Sequence, residues 1–214
     1  MRSKFEKQLT QLNEEMIQMG SMIEQAIEMA ISSLIKQNVD KANSTISFAD
    51  EIQQKEKSLQ SLCFQILLSQ QPVAGDLRKV SSAMHMMNDM KRIGDHAADI
   101  AEISIHLADK EFIKNLEHLP QMAKETIVMV INSIEAYVQG DIVLAGEVIK
   151  ADDIIDDLFV TVKNELIDLI RKDAENGEQA TDLLMIAKYF ERIGDHAVNI
   201  AHWVVFAITG NTYE

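Results

Sequence analysis

The sequence predicts an all-α protein made of two tandem, pseudo-symmetric three-helix bundles, with six long antiparallel helices in all. Three observations predict it. Only two prolines and eight glycines punctuate 214 residues, and the 47% hydrophobic content rests on Leu, Ile, Ala and Met, which favour helix over sheet. Apolar residues recur at steps of three and four along the chain, with no strand-like alternation. The chain also repeats itself: RIGDHAADIA at 92–101 returns as RIGDHAVNIA at 192–201, with eight of ten positions identical at an offset of 100. Such self-similarity marks a duplicated structural unit.

The first helix is the stripe Phe5, Leu9, Leu12, Met16, Met19, Ile23, Ile27, Ala30 and Leu34. By the same periodicity a second runs from about Val39 to Ser69. Pro72 opens the third, because a first-turn residue has no use for the missing N–H, and this helix continues to about His106. Its methionines at 84, 86, 87 and 90 read as adaptable core filling. The fourth carries Leu119, Ala123, Ile127, Val130, Ile134 and Tyr137. Gly140-Asp141 stops it and starts a fifth through Leu158, Val162, Leu166 and Leu169. Gly177 is expected to break that helix, and the sixth ends near Gly210. Helices two and five also match, at an offset of 103: Ile52, Leu59, Cys63, Ile66 and Leu67 fall on Ile155, Val162, Leu166, Leu169 and Ile170. The repeats are thus placed at 1–110 and 111–214.

Composition removes several function classes. A formal charge of −14 makes nucleic acid a poor partner and favours cations or basic protein surfaces. A single cysteine, Cys63, excludes an internal disulfide, and its apolar neighbours predict burial. The first residues lack an apolar core of signal-peptide length, and the run from Trp203 to Ile208 is far too short to span a bilayer. A soluble cytoplasmic protein is expected, reaching membranes only through partners. There is no Gly-rich phosphate loop, no Cys-x-x-Cys and no nucleophile elbow. No histidine has glutamate three residues before it, so the ferritin-type di-iron pattern is absent too. A non-catalytic protein is the resulting expectation.

One constellation could carry chemistry. In the second repeat Glu191, Asp195 and Asn199 are four apart and share a helix face, which His202 joins. Helix five supplies Asp152, Asp153, Asp156 and Asp157, with Asp152 and Asp156 one turn apart. Facing carboxylates from two helices make an oxygen-rich cation site, and zinc becomes admissible if His202 contributes. In the first repeat the same face carries Lys91, Asp95, Asp99 and Glu102. The competing reading is a solvated acidic stripe, since acidic pairs at this spacing are common on exposed helices. Gly94 and Gly194 weigh against it: each costs about 1 kcal/mol in a helix interior, so close approach or room beside the acids is implied. His96 and His196 point about 100° away from the aspartates before them and read as packing or polar surface residues.

The segments QQPVAGDLR (70–78), NDMKRIGDHAADIAE (88–102) and FERIGDHAVNIAH (190–202) resemble the PhoU family of phosphate-signalling proteins, and the resemblance covers nearly the whole chain. It implies a homodimer that acts as a negative regulator of phosphate uptake and phosphate-starvation signalling. Its partners would be the phosphate ABC transporter ATPase and a sensor histidine kinase. It also implies iron or zinc clusters on Glu/Asp-x-x-x-Asp motifs. Carried onto this chain, the ligand positions are Asp152, Asp156, Glu191, Asp195 and Asn199, with Asp95 and Asp99 in the first repeat. There the pattern departs: Asp152 meets Ala49, Asp156 meets Gln53 and Glu191 meets Lys91, whose ammonium can take the place of a cation. A metal is therefore expected at the second repeat before the first. The alternative function is a metal-storage or metal-dependent helical bundle.

Overall fold

The computed structural model describes residues 2–70 and 74–211; the expected start at Pro72 lies outside them. Among the described residues there are six long helices and no strand: α1 (Arg2–Ile35), α2 (Val39–Gln70), α3 (Ala74–His106), α4 (His118–Gln139), α5 (Ile142–Lys172) and α6 (Gly177–Thr209). Local chemistry sets several ends. Gly140 closes α4 in the left-handed region at φ 69°, where a side chain would be strained. Asp141 then caps α5, its carboxylate accepting from the N–H groups of Val143 and Leu144. The corresponding corner between α1 and α2 uses Gln37, also left-handed at φ 48°. Its side-chain Nε2 donates to the carbonyls of Leu107 and Lys110, which ties this corner to the end of α3.

One helix end differs from expectation. α5 stops at Lys172, four residues before the point where Gly177 was to break it. Asp173 turns extended, gives its N–H to Leu169 and caps a single 3-10 turn (Ala174–Asn176) by accepting from Glu175 N–H. Gly177 is the first residue of α6 and has ordinary helical angles. The capping aspartate, not the glycine, provides the stop.

The helices stack in two layers. α2, α3, α6 and α5 lie side by side in one layer; α1 covers α2 and α3, α4 covers α5 and α6, and α1 touches α4. The order is pseudo-symmetric, with α1 matching α4, α2 matching α5 and α3 matching α6. The predicted stripes face inward: Leu12, Met16, Met19, Ile23, Ile27 and Leu34 are fully buried, as are Met86, Met87 and Met90. Because α3 packs on α6 and α1 on α4, the two repeats share one continuous core. The segment between α3 and α4, where the 110/111 boundary was placed, is anchored by Gln179, which accepts from Ile113 N–H and donates to the Glu111 carbonyl. Cys63 is buried, and burial pushes its thiol up to about 12, which makes it chemically inert. No described helix is long and apolar enough to cross a membrane.

Candidate functional site

The groove between α5 and α6 gathers the second-repeat acids. Gly194 is what lets Asp152 in: a Cβ there would lie 2.9 Å from Asp152 Oδ1. The equivalent Gly94 admits an apolar partner instead, since its Cβ would lie 3.1 Å from both Cδ1 and Cγ2 of Ile52. The same glycine thus serves close packing in one repeat and room for a carboxylate in the other. Asp152 Oδ1 is buried and accepts no hydrogen bond among the described residues. Glu191 Oε2 is buried too; it makes an ion pair with Lys188 Nζ, though without the angles of a hydrogen bond. The Lys188 ammonium also lies 5.3 Å from the centre of the Phe159 ring, a cation–π distance.

Electrostatics joins these acids. Burial, then the charges of Asp156, Asp195, Glu191 and Asp153, push the Asp152 carboxyl up to about 6. Asp195 is raised as well, by burial and by Glu191 and Asp156, with Lys188 and His196 opposing. Asp156 and Asp195 remain exposed, as does Asn199, one turn beyond Asp195. Among the described residues no three His, Cys, Asp or Glu side chains stand together in a metal-holding arrangement. The four acids sense one another across the groove without converging on a point.

In the first repeat Asp95 is already paired with cations. Lys91 Nζ sits 2.6 Å from Asp95 Oδ2, with Arg92 Nη1 at 3.7 Å from the same oxygen. Asp99 Oδ2 lies 3.1 Å from His96 Nδ1. The ammonium therefore stands where the second repeat offers Glu191, and Asp95 and Asp99 are both engaged.

Sequence reading missed a second cluster. His96 and His196 meet across the α3–α6 contact, ring centres 5.5 Å apart. His196 Nδ1 is 2.8 Å from Asp89 Oδ1, and His96 packs against Tyr189 at 5.4 Å. Residues 89 and 189 are equivalent at the 100-residue offset, so this is one contact seen twice. Burial lowers the His96 pKa; the hydrogen bond to Asp99 works against this, and His196 and Arg192 add to it. The signal available in the sequence was the identity of both histidines at equivalent positions.

A pH dependence follows from Asp152. A carboxyl raised in the folded state contributes stability below its ordinary value of 3.8, and that contribution is lost as pH rises through about 6. Metal-free protein should therefore lose stability between about pH 4 and 6, and Asp152→Asn should flatten that loss. Urea midpoints in chelator, compared at pH 4.5 and 7, check this. Parallel curves for the two proteins would refute the assignment.

The chain was compared with known proteins. A family model described as the PhoU domain matches residues 16–104 and again 119–204. A phosphate-specific transport system accessory protein PhoU homolog of Clostridium acetobutylicum is 33% identical over 211 residues, covering 98% of this chain and 96% of that one. Its counterpart in Aquifex aeolicus is 34% identical over 189 residues, covering 87% and 84%. The crystal structure of PhoU from Pseudomonas aeruginosa superposes with a TM-score of 0.91 at 28% identity, covering 97% of this chain and all of that one. The phosphate transport system regulatory protein PhoU from Streptococcus pneumoniae gives 0.90 at 25% identity, covering 98% and 99%.

Proposed function

The chain belongs to the PhoU family, and from that premise we propose that it is a cytoplasmic, non-catalytic negative regulator of phosphate uptake and phosphate-starvation signalling. It acts by contact with the phosphate ABC transporter ATPase and with the sensor histidine kinase, and it reaches the membrane only through them. The observation that carries this reading is the double match of the family model, one per repeat, over a chain whose relatives are named accessory proteins of phosphate transport. The physical means is charge. A surface with a net −14 steers basic partner patches and fixes specificity more than it adds affinity. Signalling then requires partner conformations that bind this surface differently, because equal affinity shifts nothing. The working unit is a homodimer.

The acid cluster supports a metal-dependent side to this role. Asp152, Asp156, Glu191 and Asp195 would hold iron or zinc, with Asn199 as a neutral oxygen donor at the edge. Two buried carboxylate oxygens without hydrogen bonds, and a glycine that makes room for one of them, suit a cation in donor chemistry, and the acids would have to close around it, since no three of them stand together among the described residues. A cation there would neutralise the acids and lock α5 to α6. This observation is also what favours the alternative of a metal-storage bundle.

The distinguishing experiment is affinity capture of the transporter ATPase and the kinase cytoplasmic region by the immobilised protein, in high and low phosphate. Specific retention that weakens in salt, and with lysine replacing the exposed Asp153 and Asp157, is expected. Metal loading without retention of either partner would favour storage.

A further inference from the structure

Carboxylates gathered in one groove repel one another unless a cation stands among them. In the second repeat the chain supplies one itself. Lys188 lies three residues before Glu191 on α6, and its ammonium pairs with Glu191 Oε2. Among the described residues this is the only ion pair that Asp152, Asp156, Glu191 or Asp195 makes. The ammonium's charge also reaches Asp195, where it works against the rise caused by burial and by Glu191. It leaves the other wall of the groove uncovered: Asp152 Oδ1 on α5 is buried and accepts no hydrogen bond among the described residues.

The first repeat shows how a fixed internal cation is built. Lys91 stands at the Glu191 position, donates to Asp95 Oδ2 at 2.6 Å, and its side chain is 21% exposed. Arg92 adds a second charge 3.7 Å from the same oxygen. Lys188 is held differently. Its pair with Glu191 lacks the angles of a hydrogen bond, and its side chain is 36% exposed. Its other neighbour is the partly buried Phe159 ring, 5.3 Å from the ammonium to the ring centre. Neither residue has a counterpart in the first repeat. Asn88 stands where the offset of 100 would put Lys188, and Glu56 where the offset of 103 would put Phe159. A partly exposed ion pair and a cation over a partly exposed ring are both weak holds. The lysine stem is long and flexible, so the ammonium can leave the groove without moving the helix.

We infer that Lys188 is a displaceable gate on this groove: its ammonium rests on Glu191 and Phe159 while no metal is bound, and a divalent cation entering between α5 and α6 expels it to solvent. The inference rests on the reading of these acids as a cation site and names how that site is regulated. Charge favours the exchange, since a doubly charged ion can satisfy Glu191 and Asp152 together, whereas the ammonium satisfies Glu191 and leaves Asp152 without a partner. The exchange also sets a threshold. A tethered competitor is always present at high effective concentration, so the groove fills only when free metal is abundant enough to outcompete it. Release of the ammonium turns metal occupancy into a change of surface charge on α6. The first repeat, whose lysine is hydrogen-bonded in place, has no such exchange.

The test uses the full chain, stripped with chelator and titrated with zinc. Lys188→Met, which keeps the length and removes the charge, should bind zinc about tenfold or more tighter than wild type. Lys188→Arg, which keeps the charge, should bind it no tighter than wild type. A purely structural ion pair would lower the melting temperature of Lys188→Met in chelator and leave its zinc affinity unmoved. A second measurement needs no substitution at the lysine. Acetylation of Lys188 in the wild type by an N-hydroxysuccinimide ester, read by mass spectrometry, should rise severalfold when zinc is added, with the exposed Lys57 as the constant reference. That zinc response should vanish in Glu191→Gln combined with Asp195→Asn. Equal zinc affinity in wild type and Lys188→Met, with zinc still lost in the acid double variant, overturns the gate and leaves the metal site standing. Unchanged labelling of Lys188 while zinc is bound at the acids also overturns it. Absence of zinc from these acids in both wild type and Lys188→Met overturns the gate and the metal site together.

Discussion

Glu191→Gln combined with Asp195→Asn should reduce bound metal to background after purification from iron- or zinc-supplemented cells, whereas Asp95→Asn should leave it unchanged. The two repeats share a backbone plan but not a charge plan. In the second, Asp152 and Asp156 of α5 face Glu191 and Asp195 of α6, and burial, then their mutual repulsion, raises the carboxyls of Asp152 and Asp195. A divalent cation would relieve that repulsion and give a partner to Asp152 Oδ1 and Glu191 Oε2, displacing Lys188 from the latter. In the first repeat the Lys91 ammonium already sits on Asp95, so a cation there would face a like charge. Loss of a single hydrogen-bond partner behind a ligand commonly costs about 10–100-fold in metal affinity, so loss of two charged ligands should exceed about 100-fold. Elemental analysis of wild type and both variants is the measurement. Metal that persists in the double variant and disappears with Asp95→Asn would place the site in the other repeat.

Most of the helical plan was legible because it is local. The stripes at threes and fours, the left-handed Gly140 and the capping Asp141 act within a few residues of themselves, and each lies where the pattern put it. The end of α5 was misplaced because two stop signals compete there and Asp173 acts before Gly177 is reached. The functional face was legible only in part. Spacing placed Glu191 and Asp195 on one face, and the offset between repeats exposed the change from glutamate to Lys91. What Gly94 and Gly194 make room for depends on residues more than 40 positions away, Ile52 in one case and Asp152 in the other. Helical periodicity carries no information about such a partner. The His96–His196 contact was missed for a related reason: it joins α3 to α6, and no pattern within one helix says which faces of two repeats will meet.

Loss of this protein should release the phosphate-starvation response in cells that have ample phosphate. Its effect should exceed that of any single substitution, because the proposed regulator acts by occupying its partners. On that proposal, neither the transporter nor the kinase would be restrained without it, whatever the phosphate level. The relatives are named accessory proteins of phosphate transport, and contact is the mechanism proposed. Contact also predicts graded behaviour: variants that reverse exposed acids should release the response partially. The most direct measurement is reporter expression from a phosphate-starvation promoter in phosphate-rich medium, in a strain lacking this gene and any second copy of it. High expression, returned to the basal level by the wild-type gene, is the predicted result. A reporter that stays at the basal level in the deletion strain would contradict the proposed function.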